Sequence, residues 1–535
     1  MKKFFLIIVM MYICYSQSNV AARDIINVSR IVTENGKSYL TVGDIPFPLL
    51  GAQIRLDAFI NGDKKTVDDI EVYFQKAREL GVNCLQIPFY WNLIEPQKDV
   101  FKFTEIDKIL ELANKYGLKI EMLWFSTNMI GDSFSFLVPD YVLSVAEKRF
   151  SSKYEGHYSA YYGNSYTLIF NDEWILERES NAVKRLMNHI GEWDRSNGLQ
   201  HPVISVQVHN EPDGLARWRY DQLEIKYKDG RLFTREDAWE ITLHALNTVG
   251  KAVKESNYKV VTRTNIITYE GLTDFPQLTG ANPKDVFDLD GIDFVSYDPY
   301  VNSIDVIKSN TLAFNSIQGN YSLIAENKGV YENTASLILT AAALGSGYNI
   351  YDLATSKFFI DNASPAHKDE IDHGVYTWDL KEKAHTTSVK SVLKGLTAAF
   401  PEVALCKAED FAVFNVDSQY PRKFHTQTIN TTRVTYSFST SNAALGFALT
   451  RDDYLLVYVT ENADIQLSNG TFSKVVSGCY NAEGKFVAEN KASLVGGRLL
   501  KAKKGILYRI RYKSHSDLIS NTVENIGTNG SVSES

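Results

Sequence analysis

The chain has 535 residues, which is more than one ordinary domain requires. Its 44% hydrophobic and 22% charged residues are typical of a soluble globular protein. A net charge of −8 without basic runs argues against a nucleic-acid partner. We therefore expect a globular protein of more than one domain that binds no nucleic acid.

The N-terminus has the pattern of an export signal. Lys2 and Lys3 precede an apolar run over residues 4–15, and the small residues at 20–22 offer a cleavage site. The run is too short to span a membrane comfortably. We predict a signal peptide over 1–22 and a mature protein that is periplasmic, cell-surface or secreted, with no integral membrane segment. Bulky residues before Cys14 argue against a lipid anchor there.

From about residue 46, apolar strands alternate with amphipathic helices. Thr66 followed by Asp69 predicts a helix start, and apolar residues recur at helical spacing as far as Gly81. The near-continuous apolar run that follows is typical of a parallel strand buried on both faces. Eight such strands are predicted at 47–54, 82–91, 118–126, 202–210, 258–266, 293–300, 321–329 and 348–356.

Eight strand–helix units predict an α/β fold, a TIM (β/α)8 barrel with long loops. The alternative is an open doubly wound sheet. No glycine-rich phosphate loop follows the first strand, which weakens that alternative. The barrel, with an N-terminal strand segment, is predicted over 23–400.

After residue 401 the pattern changes to short β-branched and aromatic runs broken by turn signals. This predicts a C-terminal antiparallel β-domain, a sandwich-like accessory domain over 401–513. The tail at 514–535 is rich in Ser, Asn and Gly and is predicted to be disordered.

Two carboxylates follow apolar strands. The fourth predicted strand ends in Asn210, Glu211 and Pro212, and Pro212 is expected to hold Glu211 in extended backbone. The apolar run of the seventh strand ends at Glu326. A lone strand-end glutamate is usually a solvated loop residue. Strands four and seven lie on opposite sides of a barrel, however, and their carboxyl ends form its mouth. Such a pair suits glycoside hydrolysis, in which one carboxyl protonates the leaving oxygen and the other attacks the anomeric carbon.

These residues carry a family resemblance. The segment Val-His-Asn-Glu-Pro at 208–212, together with Glu326, resembles the clan of retaining glycoside hydrolases with (β/α)8 barrels. Within that clan, residues 89–110 are similar to the strand-two region of β-galactosidase families 35 and 42. Residues 35–54 are similar to the segment that leads into their barrel.

The resemblance implies a role for each matching residue. Glu211 is expected to be the general acid/base and Glu326 the nucleophile. Asn210 is expected to bond the 2-hydroxyl of the sugar. Tyr297 is expected to hydrogen-bond Glu326, with Tyr300 an equal geometric candidate.

Other residues near the predicted mouth are candidates for substrate binding. Arg55 follows the first strand and suits binding a hydroxyl or orienting a carboxylate, although a structural salt bridge fits equally. Trp91, Trp124 and Trp218 suit stacking on a sugar face, with barrel packing the alternative for Trp91. No cofactor is expected. No metal is expected either, because His209 has no second histidine at metal-ligand spacing.

The predicted function is that of an exported retaining β-glycosidase acting on an oligo- or polysaccharide, most similar to a β-galactosidase. Two alternatives remain open at this point. The first is a β-glucosidase, β-mannosidase or endo-glycanase with the same mechanism. The second is a carbohydrate-binding barrel without catalysis, which the presence of both glutamates disfavours.

Overall fold

A computed structural model gives the structure of the chain. It describes residues 25–127, 135–146, 154–157, 172–214, 216, 224–227, 229–268, 282–363, 371–416, 425–431, 434–468 and 471–513. The predicted signal peptide at 1–22 and the predicted tail at 514–535 lie outside the described residues.

Eight parallel strands close into a barrel. Each pairs with the next in the chain, and the eighth pairs with the first. We number them as barrel strands 1 to 8, with the bounds Leu50–Gln53, Cys84–Tyr90, Lys119–Phe125, Val203–Val208, Val261–Ile267, Phe294–Asp298, Leu323–Lys328 and Gly347–Tyr351. The predicted TIM barrel is confirmed, and the open doubly wound sheet is excluded because the strand order closes.

Helices connect the strands and pack around the barrel. The predicted start at Thr66 forms a capping box with Asp69, and Gly81 ends the helix with a left-handed φ of 96°. No helix in the described ranges is long and apolar enough to cross a membrane. The α-helices are Leu56–Asn61, Glu71–Leu80, Trp91–Ile94, Thr104–Tyr116, Asp140–Ala146, Glu173–Ser196, Arg235–Lys254, Pro283–Phe287, Ile304–Asn315, Thr334–Ala343, Lys357–Asn362, Thr386–Ala398 and Phe400–Leu405.

Short strands flank the barrel. Ile26–Asn27 pairs in parallel with Tyr258–Lys259, ahead of barrel strand 5. Ser29–Glu34, Lys37–Val42 and Ile45–Pro46 form a three-stranded sheet that leads into barrel strand 1. Two further strands, Tyr154–His157 and Glu224–Tyr227, pair with each other and follow barrel strands 3 and 4.

The C-terminal part is an antiparallel β-domain of two sheets, as predicted. In sheet order, the six-stranded sheet has Phe411–Val416, Ala444–Thr450, Tyr454–Val459, Leu507–Lys513, Thr471–Tyr480 and Phe486–Ala492. The four-stranded sheet has His425–Asn430, Thr435–Thr440, Ala463–Leu467 and Leu499–Ala502. Side chains of both sheets, such as Phe414 and Phe438, share one apolar core.

A polar cluster joins the β-domain to the barrel. Glu402, on the helix Phe400–Leu405, accepts hydrogen bonds from Arg451 Nε at 2.6 Å and from the hydroxyls of Tyr454 and Tyr480 at 2.7 and 3.0 Å. Tyr458 donates to the backbone oxygen of Ser391 at 2.7 Å. The β-domain is therefore held by charge-assisted hydrogen bonds as well as by apolar contact.

The barrel interior holds a buried ion pair. Arg263 Nε lies 2.6 Å from Glu121 Oε1, and neither side chain is exposed. Glu121 also accepts from Gln86, Ser205 and Asn349 at 2.7, 3.0 and 2.9 Å. Burial alone would raise the pKa of Glu121, but the Arg263 guanidinium and these donors hold it below its usual value. The pair and its partners tie together strands 2, 3, 4, 5 and 8.

The same arginine reaches toward the mouth of the barrel. Arg263 Nη1 donates to Gln207 Oε1 at 2.6 Å and to Ser296 Oγ at 3.1 Å. Gln207 Nε2 in turn donates to Asn210 Oδ1 at 2.8 Å. The interior ion pair is thus linked by two hydrogen bonds to a residue predicted to bind substrate.

Replacement of Arg263 tests the importance of this pair. Arg263→Met leaves Glu121 buried without a cation, so we expect the free energy of unfolding to fall by about 3–5 kcal/mol. Urea unfolding followed by circular dichroism measures the change. The control is Arg263→Met combined with Glu121→Leu, which removes both charges and should recover most of the loss. A single variant as stable as the parent would contradict this account.

Candidate active site

Glu211 lies in a tight turn just beyond barrel strand 4. The strand ends at Val208, and His209 and Glu211 have φ values of 60° and 43°. The extended backbone predicted for Glu211 is therefore wrong. Its N–H donates to Asn265 Oδ1 at 3.0 Å, and its carbonyl accepts from Gly214 at 3.0 Å. These bonds hold the left-handed conformation against the preference that a following proline imposes.

Glu326 lies within barrel strand 7 and is 4% exposed. The pairing of strands 7 and 8 shifts register between Ile324 and Asn327, so Glu326 occupies an irregularity in the ladder. Gln53 Nε2 donates to Glu326 Oε1 at 3.2 Å, and the Tyr300 hydroxyl donates to Oε2. Both carboxylate oxygens therefore have a neutral donor.

Tyr300, and not Tyr297, contacts Glu326. The Tyr297 hydroxyl lies 2.6 Å from Thr311 Oγ1, and its ring stacks on Phe314 with centroids 4.5 Å apart. Tyr297 thus points from strand 6 into the surrounding helix Ile304–Asn315, so the hydrogen bond predicted for it is not formed. Tyr300, just beyond the strand end, makes the predicted contact instead.

A third carboxyl, which the sequence analysis missed, joins the two glutamates. One oxygen from each of Glu211, Asp298 and Glu326 lies within 4.8 Å of the others. Asp298 ends barrel strand 6 and has no exposed surface. A signal for it exists in the sequence, because Asp298 precedes Pro299 at a strand end as Glu211 precedes Pro212.

Burial disfavours the charged forms of two members of this carboxyl trio, Asp298 and Glu326. It raises the pKa of Asp298 well above its usual value, and the neighbouring Glu326 and Glu211 raise it further. Burial also raises the pKa of Glu326, but the Tyr300 hydroxyl, the Arg55 guanidinium and Gln53 oppose that rise. Three carboxyl groups this close do not all ionise together near neutral pH, so the trio retains a proton.

Two amides orient the site. Asn265, on barrel strand 5, donates from Nδ2 to Asn210 Oδ1 at 3.1 Å and to Asp298 Oδ2 at 2.6 Å. Its Oδ1 accepts from the Glu211 backbone. Because Asn210 Oδ1 accepts from both Asn265 and Gln207, the orientation of the Asn210 amide is fixed. Asn265 therefore links the turn beyond strand 4 to the end of strand 6.

Arg55 forms a structural salt bridge, which was the alternative to its predicted role in substrate binding. Its Nε and Nη2 donate to the Asp57 carboxylate at 2.9 and 2.6 Å. The guanidinium lies 5.4 and 4.9 Å from the ring centroids of Phe125 and Phe359. From this position its charge also favours ionised Glu326.

Two of the three candidate tryptophans are packing residues. Trp91 and Trp124 have no exposed surface, and their indole N–H groups donate to Glu95 at 2.8 Å and to Glu179 at 2.9 Å. A fully buried ring has no face to offer a sugar, so the predicted stacking role is wrong for both. Trp218 lies outside the described residues.

Glu179 is a second residue that the sequence analysis missed. It lies on the helix Glu173–Ser196, is fully buried, and accepts from Trp124, Ser126 and Thr127 at the end of strand 3. His209 Nε2, beyond strand 4, lies 2.8 Å from its Oε1. Burial opposes the charge, yet His209 and these donors keep the pKa of Glu179 below its usual value. The available signal was an acidic residue on the apolar face of a helix.

The carboxyl trio is the one set of acidic, histidine or cysteine side chains at metal-ligand spacing in the described ranges. Both oxygens of Glu326 and one oxygen of Asp298 already accept protein hydrogen bonds. This pattern of donors is typical of a site for proton transfer and nucleophilic attack. Among the described residues, the cysteines are three free thiols at Cys84, Cys406 and Cys479.

Comparison with protein families agrees with the resemblance seen in the sequence. Residues 61–131 match a family described as beta-galactosidase, and residues 241–421 match a domain of unknown function, DUF4978. No curated protein matches the chain. The predicted resemblance to (β/α)8-barrel glycoside hydrolases is confirmed.

Similar solved structures are barrel glycosidases. The β-galactosidase of the psychrophilic Marinomonas ef1 has 11% identity and a TM-score of 0.46, over 65% of this chain and 59% of its own. An exo-β-1,4-mannosidase from an Opitutaceae bacterium has 11% identity and a TM-score of 0.48, over 68% and 62%. A GH30 endoxylanase from Clostridium papyrosolvens has 12% identity and a TM-score of 0.44, over 88% and 97%. The chain thus spans about three fifths of the first two.

The Glu179 cluster predicts a pH-dependent stability. Because the folded-state pKa of Glu179 is lowered, its contribution is complete above the unfolded value of about 4.3 and is lost as pH falls through the folded value. We expect Glu179→Gln to lower the free energy of unfolding by about 1–3 kcal/mol near neutral pH. The deficit should shrink in acid. Urea unfolding at a series of pH values measures it.

Glu177→Gln provides the matched control, because Glu177 is exposed on the same helix. It should leave stability unchanged at every pH. A Glu179→Gln deficit that stays constant from neutral pH to acid would show that the carboxylate charge contributes nothing.

Proposed function

We propose that the protein is a retaining glycoside hydrolase in which Glu326 is the nucleophile and Glu211 the general acid/base. One observation carries the proposal: glutamates from barrel strands 4 and 7 bring carboxylate oxygens within 4.8 Å of each other at the carboxyl ends of a closed barrel. That is where the chemistry of this fold takes place. The match of residues 61–131 to a β-galactosidase family supports the same reaction class.

In the first step, the Glu326 carboxylate attacks the anomeric carbon while Glu211 donates its proton to the glycosidic oxygen. The bond from carbon to that oxygen breaks, the aglycone leaves as an alcohol, and a glycosyl ester remains on Glu326. The Tyr300 and Gln53 hydrogen bonds favour the ionised form of Glu326 that this attack needs.

In the second step, Glu211 is a carboxylate and takes a proton from water. The water oxygen attacks the anomeric carbon, the ester bond to Glu326 breaks, and both residues return to their first states. Loss of the Glu326 charge in the ester lowers the cost of ionising Glu211, so the same residue serves as acid and then as base.

The separation of the two glutamates favours retention. Inverting enzymes hold their carboxyl groups about 6.5–9.5 Å apart to admit a water, whereas retaining enzymes hold them about 5–5.5 Å apart. An oxygen–oxygen approach within 4.8 Å between the two glutamates is compatible with the shorter separation. Two successive inversions at the anomeric carbon then restore its configuration.

The substrate we propose is a β-galactoside within a larger glycan. The family match over residues 61–131 and the sequence similarity at 89–110 support it. β-Glucosides, β-mannosides and internal linkages of a glycan are the alternatives within the same mechanism. We also propose that the protein is exported, on the basis of the pattern at 1–22. N-terminal sequencing of the mature protein, expected to begin after Ala22, tests export.

Variants of the two glutamates should fail in different ways. Nitrophenyl β-galactoside, β-glucoside and β-mannoside first identify the sugar that is turned over, with galactose expected. Glu326→Gln should then abolish hydrolysis of every substrate, because no ester forms. Glu211→Ala should spare the first step for dinitrophenyl glycosides, whose leaving group needs no proton, and should lose about 10²–10⁴-fold on unactivated glycosides.

Rescue by azide separates the roles further. Azide added to Glu211→Ala should accelerate turnover of a dinitrophenyl glycoside and give a β-glycosyl azide, because it attacks the accumulated ester without base catalysis. Glu332→Gln, a change outside the site, is the control and should retain full activity. Equal losses of both glutamate variants on activated and unactivated substrates would contradict the assignment.

A further inference from the structure

The two carboxyl oxygens of Asp298 differ in their hydrogen bonding. Its Oδ2 accepts from Asn265 Nδ2 at 2.6 Å. Its Oδ1 is fully buried and has no hydrogen-bond partner among the described residues. A buried ionised carboxylate normally accepts several hydrogen bonds, and a charged oxygen left without one destabilises the ionised form. A proton on Oδ1 removes that destabilisation and adds a donor.

The surroundings of Asp298 also disfavour a charge. Glu211 lies beyond strand 4 and Glu326 lies on strand 7, each with an oxygen within 4.8 Å. Tyr300, two residues along the chain, donates to Glu326. Arg263 on strand 5 favours ionised Asp298, but it already pairs with Glu121 in the barrel interior.

We propose that Asp298 is a third functional carboxyl of the site, which remains uncharged in the working enzyme and donates its Oδ1 proton toward Glu211 and Glu326. The inference deepens the proposed glycosidase function and rests on it. Asp298 is a positioning residue in this account, because it acts through the two glutamates and not on the sugar.

An uncharged Asp298 serves both steps of the reaction. A fixed negative charge at its position would make ionisation of Glu326 more costly and slow the attack. A protonated carboxyl instead offers a hydrogen bond to whichever glutamate carries the charge. That is Glu326 in the free enzyme and Glu211 once the ester has formed. Its proton stays on Asp298 throughout, so no additional proton transfer is required.

Infrared spectroscopy of the substrate-free protein tests the protonation state. Aspartate labelled with 13C at the side-chain carboxyl shifts aspartate bands away from those of glutamate. At a pH of about 8.5 the labelled protein should retain a protonated aspartate band. Burial raises the pKa of Asp352 to about 7, so Asp352 is largely ionised at that pH. The band should vanish in Asp298→Asn. A wild-type spectrum with only ionised aspartate would overturn the proposal.

This measurement needs no substrate, so it distinguishes failure of the inference from failure of the proposed function. If the band is found but no β-glycoside is hydrolysed, the proposed glycosidase function is wrong, whereas the proposed protonation of Asp298 is supported. The wild-type spectrum alone also tests the proposal if Asp298→Asn does not fold.

The pH profile of kcat/KM gives a second readout. Asp298→Asn keeps an uncharged donor, so we expect its alkaline limb to coincide with that of the wild type and its rate to fall less than about tenfold. Asp298→Leu, similar in size but without a donor, should lose about 10²-fold. If Asp298 were ionised, Asn would remove a negative charge and move the alkaline limb of Glu211 about one unit lower. A shift of that size, or equal rates for the Asn and Leu variants, would overturn the inference.

Discussion

The buried ion pair between Glu121 and Arg263 is the interaction on which the rest of the structure depends. TIM-barrel interiors are usually filled by layers of branched apolar side chains. Here Glu121, Arg263, Gln86, Ser205 and Asn349 form a hydrogen-bonded layer inside the barrel. Such a pair costs desolvation energy, but its directional bonds permit one arrangement of the strands. The layer therefore fixes the strand positions from which the catalytic candidates extend.

Above this layer, a series of hydrogen bonds connects Arg263 to the carboxyl groups at the mouth of the barrel. Arg263 bonds Gln207, Gln207 bonds Asn210, and Asn210 shares Asn265 with Asp298. After the first contact, each donor in this series is a neutral amide, and Arg263 itself pairs with Glu121 within the barrel. In the carboxyl trio at the mouth, burial raises the pKa of Glu326, and the Tyr300 and Gln53 donors together with the charges of Arg55 and Arg263 oppose that rise. These different surroundings let carboxyl groups that are close to one another hold different protonation states.

Features that depend on chain order were accessible from the sequence, and features that depend on side-chain direction were not. The eight barrel strands were predicted because parallel strands read as apolar runs between helices. Glu211 and Glu326 were found because each follows such a run. The choice between Tyr297 and Tyr300 depends on which face of strand 6 the Tyr297 side chain takes, and a shift of one residue reverses that face. The sequence alone left it open.

Contacts between residues that are far apart in the chain also could not be predicted from the sequence. Trp124 suggested sugar stacking, but it is buried and its indole N–H donates to Glu179, which is 55 residues away. The left-handed turn at Glu211 depends on Asn265, 54 residues away, and so overrides the local effect of Pro212. Asp298 carried a readable local signal, a carboxylate followed by proline at a strand end, but its significance comes from two glutamates on other strands. The predicted domain limits at 23–400 and 401–513 remain predictions.

The stereochemistry of the first product tests the central claim most directly. Proton NMR of the anomeric region, recorded in the first minutes of hydrolysis of a β-glycoside that the enzyme accepts, distinguishes the two anomers before mutarotation mixes them. Double displacement through Glu326 predicts that the β-anomer appears first and the α-anomer grows in later. An initial α-anomer would contradict a nucleophilic role for Glu326, while leaving the acid role of Glu211 intact.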